Sequence, residues 1–251
     1  LVTDDGPVRT ITLNRADQRN AQVPSLWSAL ADLSKNTPPE IRVVVLRGAG
    51  ESFSAGLDRG MLDPNGIPGE PNLLAMAATG TEGQMADAIA DFQEGFTAWR
   101  SCPAIVIAAV QGYAIGAGFQ LALAADLRVV ADDVKFAMKE VSLGLVPDLA
   151  GTSPLVRMVG YSRALDICAT GRFIGAEEAQ ALGLVTLVAT RDNLDKALGR
   201  LVHGILSAPA RAIAELKPLL VNATEASFPD QIRAEREAQS RRLASLVRGQ
   251  G

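Results

Sequence analysis

The 251 residues hold one histidine, His203, and two cysteines, Cys102 and Cys168. That count excludes a zinc site built on two or three histidines, and a Ser-His-Asp triad would rest on His203 alone. His203 stands in LDKALGRLVHGIL, where the apolar spacing is helical, so it reads as a helix-face or core residue. The cysteines are too few for a disulfide framework and lack metal-type spacing; with apolar neighbours, both read as inert buried thiols. No metal site is expected. Long apolar runs are missing too, since the longest, Ala104–Val110, falls far short of the roughly 20 residues of a membrane-spanning helix. With a net charge of −4 and a pI of about 5.2, the chain has no electrostatic footprint for nucleic acid or an anionic membrane. No basic n-region followed by an apolar h-region opens the chain, so a cytoplasmic location is expected.

What is present describes a globular protein: 48% hydrophobic and 21% charged residues, in a length that one α/β domain can fill. LVTDDGPVRTITLN alternates about Asp5-Gly6 and predicts a β-hairpin. Pro24 opens a helix through SLWSALADLSK. IRVVVLRG (41–48) and AIVIAAV (104–110) are continuous apolar runs of the kind found in strands buried on both faces. Between them DPNGIPGEPN (63–72) reads as loop, 75–83 as a mobile lid, and 85–100 as helix. After QGYAIGAG, read as a turn, come a helix (FQLALAAD), a strand (LRVV) and a largely helical last third. No repeat of fixed period and no linker divides the chain.

Two stretches share a design, in which a buried strand runs through a small-residue turn into a helix start: VVVLRG with FSAGLD, and AIVIAAV with QGYAIGAGFQ. Such turns leave backbone N–H groups unpaired where a helix dipole favours negative charge. Two of them converging would form an oxyanion hole. A dinucleotide fingerprint fails at both, because Phe53 and Leu121 stand where the third glycine is required, and no G-K-S/T completes a P-loop.

KEVSLGLVPDLAG (139–151) sets Glu140 and Asp148 in an apolar run. Unpaired buried charges cost several kcal/mol, so either the run is a surface loop or the carboxylates do chemistry. Glu140, flanked by Met138, Val141 and Leu143, suits a carboxyl whose pKa an apolar wall raises; the competing reading is a salt bridge with Lys139. Asp148, after Pro147, reads either as a second acid/base group or as a turn or cap before the next helix.

With these residues in view, the chain resembles the crotonase superfamily of enoyl-CoA hydratases and isomerases. The likeness runs through ITLNRADQRNAQ (11–22), VVVLRGAGESFSAGLD (43–58), QGYAIGAGFQLALAADLRVVADDVKFAMKE (111–140) and GLVPDLAGTSPLVRMVG (144–160). It implies an α/β fold, a spiral of ββα units, with C-terminal helices that make trimers or hexamers. The expected division is a spiral core over 1–190 and a helical region over 191–251 of the same functional domain. The implied substrate is an acyl-CoA thioester, with coenzyme A as part of the substrate and no further cofactor. Oxyanion donors would be the N–H groups of Leu57 and Ala117. Arg19 to Gln22, and Ser54, Ala55, Gly56 and Asp58, with Gly116, would hold the CoA portion, and Arg59 is a candidate for a phosphate. Hydratases of the family carry two glutamates; here the first position is Gln120, which transfers no proton but is expected on the substrate side, orienting a water or a carbonyl, and the second is Glu140. The eight-residue spacing from Glu140 to Asp148 is similar to that of dienoyl-CoA isomerases. The expected activity is double-bond isomerisation of the fatty-acid β-oxidation type with Glu140 as proton shuttle. The alternatives are a hydratase using Glu140 alone and a non-catalytic acyl-CoA binder.

Overall fold

The computed structural model describes residues 1–249. Strands β1 (Val2–Asp5) and β2 (Val8–Leu13) form the expected antiparallel hairpin, Asp5 opposite Val8, with Gly6 in the left-handed region that closes the turn. Helix α1 (Pro24–Lys35) starts on proline, which lacks the N–H a first turn leaves unpaired, and buries Trp27, Leu30 and Ala31. Strand β3 (Val43–Gly48) follows. Helices α2 (Leu73–Thr79) and α3 (Glu82–Ser101) then cover the segment read as a lid. Thr81 and Gln84 form a capping box that starts α3 three residues ahead of the expected 85. Strands β4 (Ile105–Val110) and β5 (Tyr113–Ile115), helix α4 (Ala117–Ala124), and strands β6 (Leu127–Ala131) and β7 (Lys135–Ala137) come next. The remainder is α5 (Thr152–Val159), α6 (Tyr161–Thr170), β8 (Ile174–Gly175), α7 (Ala176–Ala181), β9 (Leu187–Ala189), α8 (Leu194–Ser207), α9 (Ala210–Asn222) and α10 (Phe228–Val247).

The main sheet has the order β1-β2-β3-β4-β6-β9, parallel beyond the first hairpin. Alternate residues of β3 and β4 enter two cores. Val43, Val45, Ile107 and Ala109 pack with Leu194, Ala197 and Leu198 of α8. Val44, Leu46, Val106, Ala108 and Val110 join the core that holds Trp27, Phe96, Trp99 and Phe119. Burial on both faces is why these strands read as unbroken apolar runs.

A second sheet, β5-β7-β8, is extended by a bridge between Ser54 and Ala114. Each pass of the chain thus adds one strand to the large sheet and one extended segment to the small one: β3 then Ser54, β4 then β5, β6 then β7. This is the spiral of ββα units. Strand β5 corrects the expectation of a simple turn over QGYAIGAG. Its pairing partner is β7, about 20 residues later, so no local periodicity announces it.

Helix α9 is fastened by Lys217, whose Nζ lies 2.7 Å from Asp126 Oδ2 and donates to the carbonyls of Ala104 (2.9 Å) and Trp99 (3.2 Å). His203 lies exposed on α8. Cys102 is buried as expected, whereas Cys168 is only half-buried. Among the described residues no helix is long and apolar enough to cross a membrane.

Candidate active site

The two glycine turns meet. Ser54 N donates to Tyr113 O at 2.9 Å and Ile115 N returns a bond to Ser54 O at 3.0 Å, which lays FSAGLD alongside YAIGAG. Glycine is required at this contact. A Cβ at Gly56 (φ 92°) would stand 2.4 Å from Ile115 O, and one at Gly118 would stand 2.5 Å from Ser54 O.

Segment 19–22 pairs in parallel with 55–58 through Gln22 N to Gly56 O (2.7 Å) and Asp58 N to Gln22 O (2.8 Å). In a parallel pairing of this phase the N–H of the intervening Leu57 points away from its partner. Ala117 is the first residue of α4, where an N–H has no partner within the helix. Among the described residues neither N–H finds a backbone or side-chain acceptor. Both belong to the face where the turns touch: the Cβ position on Gly56, next to Leu57, is 3.5 Å from Ala117 N.

Glu140 is delivered to this face by β7. The ladder ends with Gly116 N donating to Ala137 O (2.8 Å), and a one-turn 3-10 helix begins at Glu140. Its Oε1 accepts from Gln120 Nε2 at 2.8 Å, while Oε2 is buried with no hydrogen-bond partner among the described residues. Burial pushes the Glu140 carboxyl above its ordinary range; the nearby backbone N–H groups of Glu140 and Lys139 and the hydrogen bond from Gln120 oppose the shift, and the charge of Asp148 adds to it. Gln120 is itself buried, and its Oε1 accepts from Leu149 N (2.9 Å) and Gly151 N (3.2 Å).

Asp148 lies near enough for its charge to act on Glu140, and burial raises its own carboxyl as well. It does not cap α5, whose N-cap is Gly151 with no side-chain bond. Its carbonyl accepts from Gln93 Nε2 at 2.6 Å, which pins the loop to α3. The expected apolar wall is only partly present. Met138 is buried, but Val141 and Leu143 are 45% and 53% exposed, because the 3-10 turn and the loop after it face outward. No Lys139–Glu140 pair forms among the described residues; the Lys139 ammonium sits 4.8 Å over the Phe173 ring. Cys168 of α6 is close enough for the Glu140 charge to act on its thiol, which burial chiefly pushes up.

The remaining expected residues divide into scaffold and surface. Gln22 and Ser54 are fully buried: Gln22 Nε2 donates to Ser54 Oγ (3.0 Å), and Ser54 Oγ donates to Asn20 O (2.8 Å) and accepts from Gly56 N (3.1 Å). Their side chains shape the turn. Ala55 N donates to Arg19 O at 2.8 Å. The exposed Arg19 guanidinium lies 5.7 Å from the Tyr113 ring centroid. Asp58 accepts from Gly60 N (3.0 Å) and pairs with Arg15 at 2.9 Å. Arg59 is exposed at the start of the 3-10 turn Arg59–Leu62.

Three further side chains hold the site together: Arg15 and Gln93, which the sequence does not announce, and Asn20, which lies inside the expected 19–22 segment and acts as scaffold. Arg15 bonds Ala21 O (2.8 Å) in addition to Asp58. Asn20, at φ 54°, gives its amide to Ala49 O (2.9 Å) and Ser52 O (2.8 Å). Gln93 is the third. For Asn20 a signal existed, since asparagine is among the residues that accept left-handed backbone; for Gln93 none did.

A family model described as "Enoyl-CoA hydratase/isomerase" matches residues 4–249. The Mycobacterium tuberculosis protein named "Probable enoyl-CoA hydratase EchA17" is 36% identical over 213 residues, 84% of this chain and 74% of the relative. The peroxisomal Delta(3,5)-Delta(2,4)-dienoyl-CoA isomerase of Arabidopsis thaliana is 30% identical over 233 residues, 89% of this chain and 80% of that protein. Among solved structures, a candidate enoyl-CoA hydratase from Thermobifida fusca YX, in complex with acetoacetyl-CoA, superposes with a TM-score of 0.92 at 43% identity, covering 97% of this chain and 94% of that one. The match spans the converged turns, the Glu140 segment and the C-terminal helices alike, and the chain belongs to the enoyl-CoA hydratase/isomerase family.

Proposed function

We propose that the protein binds an acyl-CoA thioester and moves its double bond, with Glu140 as the proton shuttle. The observation that carries this reading is the Gln120–Glu140 hydrogen bond, which puts an amide where a second proton-transferring group would otherwise stand. For a 3-enoyl thioester, the Glu140 carboxylate takes a proton from the α carbon and a dienolate forms. The N–H groups of Leu57 and Ala117 hold the charge that develops on the thioester oxygen. Returning the same proton to the γ carbon leaves a 2-enoyl thioester and restores the carboxylate. Each proton taken is given back, so one carboxyl suffices and no cofactor enters. Asp148, whose charge reaches Glu140, assists at the far end of a conjugated dienoyl chain in this reading.

A hydratase reading is favoured by one observation, the names of the mycobacterial and Thermobifida relatives. There Glu140 would activate water by itself. The two separate in one assay, in which the purified protein receives crotonyl-CoA, a 3-enoyl-CoA and a 3,5-dienoyl-CoA. Turnover of the second or third with crotonyl-CoA untouched supports isomerisation, whereas loss of crotonyl-CoA absorbance supports hydration. Glu140→Gln should abolish turnover while CoA binding persists; undiminished activity would remove Glu140 from the role. Exposed Leu216, Leu220, Leu243 and Leu246 on α9 and α10 support assembly as a trimer or a dimer of trimers, testable by light scattering.

A further inference from the structure

Gln120 is a buried amide with a hydrogen bond at each end, and the two ends are not interchangeable. Its oxygen accepts two backbone N–H groups, from Leu149 (2.9 Å) and Gly151 (3.2 Å), and its nitrogen faces Glu140 Oε1 at 2.8 Å. Rotating the amide by half a turn would set an NH2 against two N–H donors and a carbonyl against a carboxylate, so all three contacts would become repulsive. The backbone of the 149–151 loop therefore fixes the direction in which the amide donates. Space is equally constrained: a Cβ at Gly151 would stand 2.6 Å from Gln120 Cγ and 3.0 Å from Oε1. On the other side Glu140 Oε2 is buried and has no partner among the described residues.

We propose that Gln120 is a positioning residue for Glu140: clamped by the Leu149 and Gly151 N–H groups, it holds Oε1 as an acceptor and leaves Oε2 as the one oxygen that exchanges a proton with the acyl thioester. The proposal rests on the reading of Glu140 as proton shuttle. It gives the substituted position a task in place of the proton transfer it cannot perform. It also makes the loop that carries Asp148 part of the same device, since one amide bonds both the loop and Glu140. The other titratable groups facing Glu140 are Asp148, from that loop, and Cys168, from α6; the Lys139 ammonium is engaged with Phe173.

The test uses the full chain as wild type and as Gln120→Met, Gln120→Glu, Gly151→Ala and Glu140→Gln. Steady-state rates are measured on whichever of the three CoA substrates is turned over, across pH. Infrared difference titration of the Glu140 carboxyl is run beside them, its band assigned by its absence in Glu140→Gln. Gln120→Met should lower kcat about 10²-fold with KM nearly unchanged, the loss expected when a reacting group is mispositioned by about an ångström. It should also move the carboxyl titration and the acid limb of the rate to higher pH, because a hydrogen bond favouring the ionised form is gone. Gln120→Glu preserves the acceptor for both backbone N–H groups yet brings a like charge to Glu140, so its titration moves up as well. Gly151→Ala leaves both side chains in the sequence and should reproduce the effect by pushing Gln120 aside.

A wild-type kcat and an unmoved titration in Gln120→Met or Gly151→Ala would overturn the proposal. So would a lost rate with an unmoved titration, the signature of a merely structural role. The two readings fail separately: an active Glu140→Gln sinks the shuttle and this inference with it, while an inactive Glu140→Gln beside a normal Gln120→Met sinks only this inference. If none of the three substrates is turned over, the titration alone decides, and an unmoved carboxyl rejects the positioning role.

Discussion

Gly116 lies directly against the Glu140 carboxylate. A Cβ built at Gly116 would stand 3.2 Å from Glu140 Oε1, and the residue holds φ at 52° with ψ at −118°, a backbone state that L side chains rarely adopt. Gly116 also donates its N–H to Ala137 O at 2.8 Å, so it cannot relax without loosening the end of β7 that presents Glu140. Gly116→Ala should therefore cost about 1–3 kcal/mol of stability through backbone strain. It should lower kcat about 10²-fold by displacing the carboxyl. Denaturant melts and steady-state rates on the same preparation measure the two effects separately.

The oxyanion donors are backbone groups, so ordinary substitution tests them poorly. Replacing Ala117 by its α-hydroxy acid through nonsense suppression turns the amide into an ester and removes the N–H without adding an atom. Helix α4 should persist, because that N–H has no partner within the helix. The expected loss is about 10²–10³-fold in kcat, the range for removing one such donor. An ester variant with wild-type kcat would take Ala117 out of the hole.

The large features of this fold were legible because they follow from local pattern: the hairpin at Asp5-Gly6, the apolar runs of β3 and β4, and the helix opened by Pro24. Convergence of the glycine turns was legible as chemistry but not as geometry. What brings them together is the pairing of Ser54 with Tyr113 and Ile115, across about 60 residues of chain. Strands β5 and β7 stabilise only each other and their neighbours, and three residues carry too little periodicity to declare a strand. The apolar look of KEVSLGLVPDLAG misled in one respect, since Val141, Leu143, Leu145 and Val146 are exposed. Glu140 is desolvated mainly by where its side chain reaches, not by its sequence neighbours.

Asp148 acts on Glu140 by charge. A nearby carboxylate disfavours ionisation of Glu140, so Asp148→Asn should lower the Glu140 pKa and move the acid limb of kcat/KM to lower pH. The loop should hold, because Gln93 bonds the Asp148 carbonyl, not its side chain. If Asp148 also carries a proton, kcat on the 3,5-dienoyl substrate should fall at least tenfold while kcat on the 3-enoyl substrate stays within about threefold. Equal rates on both substrates, with only the limb displaced, would restrict Asp148 to an electrostatic role.

The raised Glu140 carboxyl has a consequence for stability as well as for rate. Its folded-state pKa lies above its unfolded value, chiefly because burial disfavours the charged form. Through that interval the folded state binds more protons than the unfolded state, so stability falls as pH rises. The contribution is complete below the ordinary glutamate range and is lost as pH climbs through the raised value. Glu140→Gln removes the titration while retaining an oxygen that can accept from Gln120. Stability of the variant minus that of wild type should therefore increase with pH across this window and level off above it, whatever fixed offset the new amide introduces. Denaturant midpoints measured from pH 4 to pH 8 test this; a difference independent of pH would mean that Glu140 ionises as freely in the folded protein as in the unfolded chain.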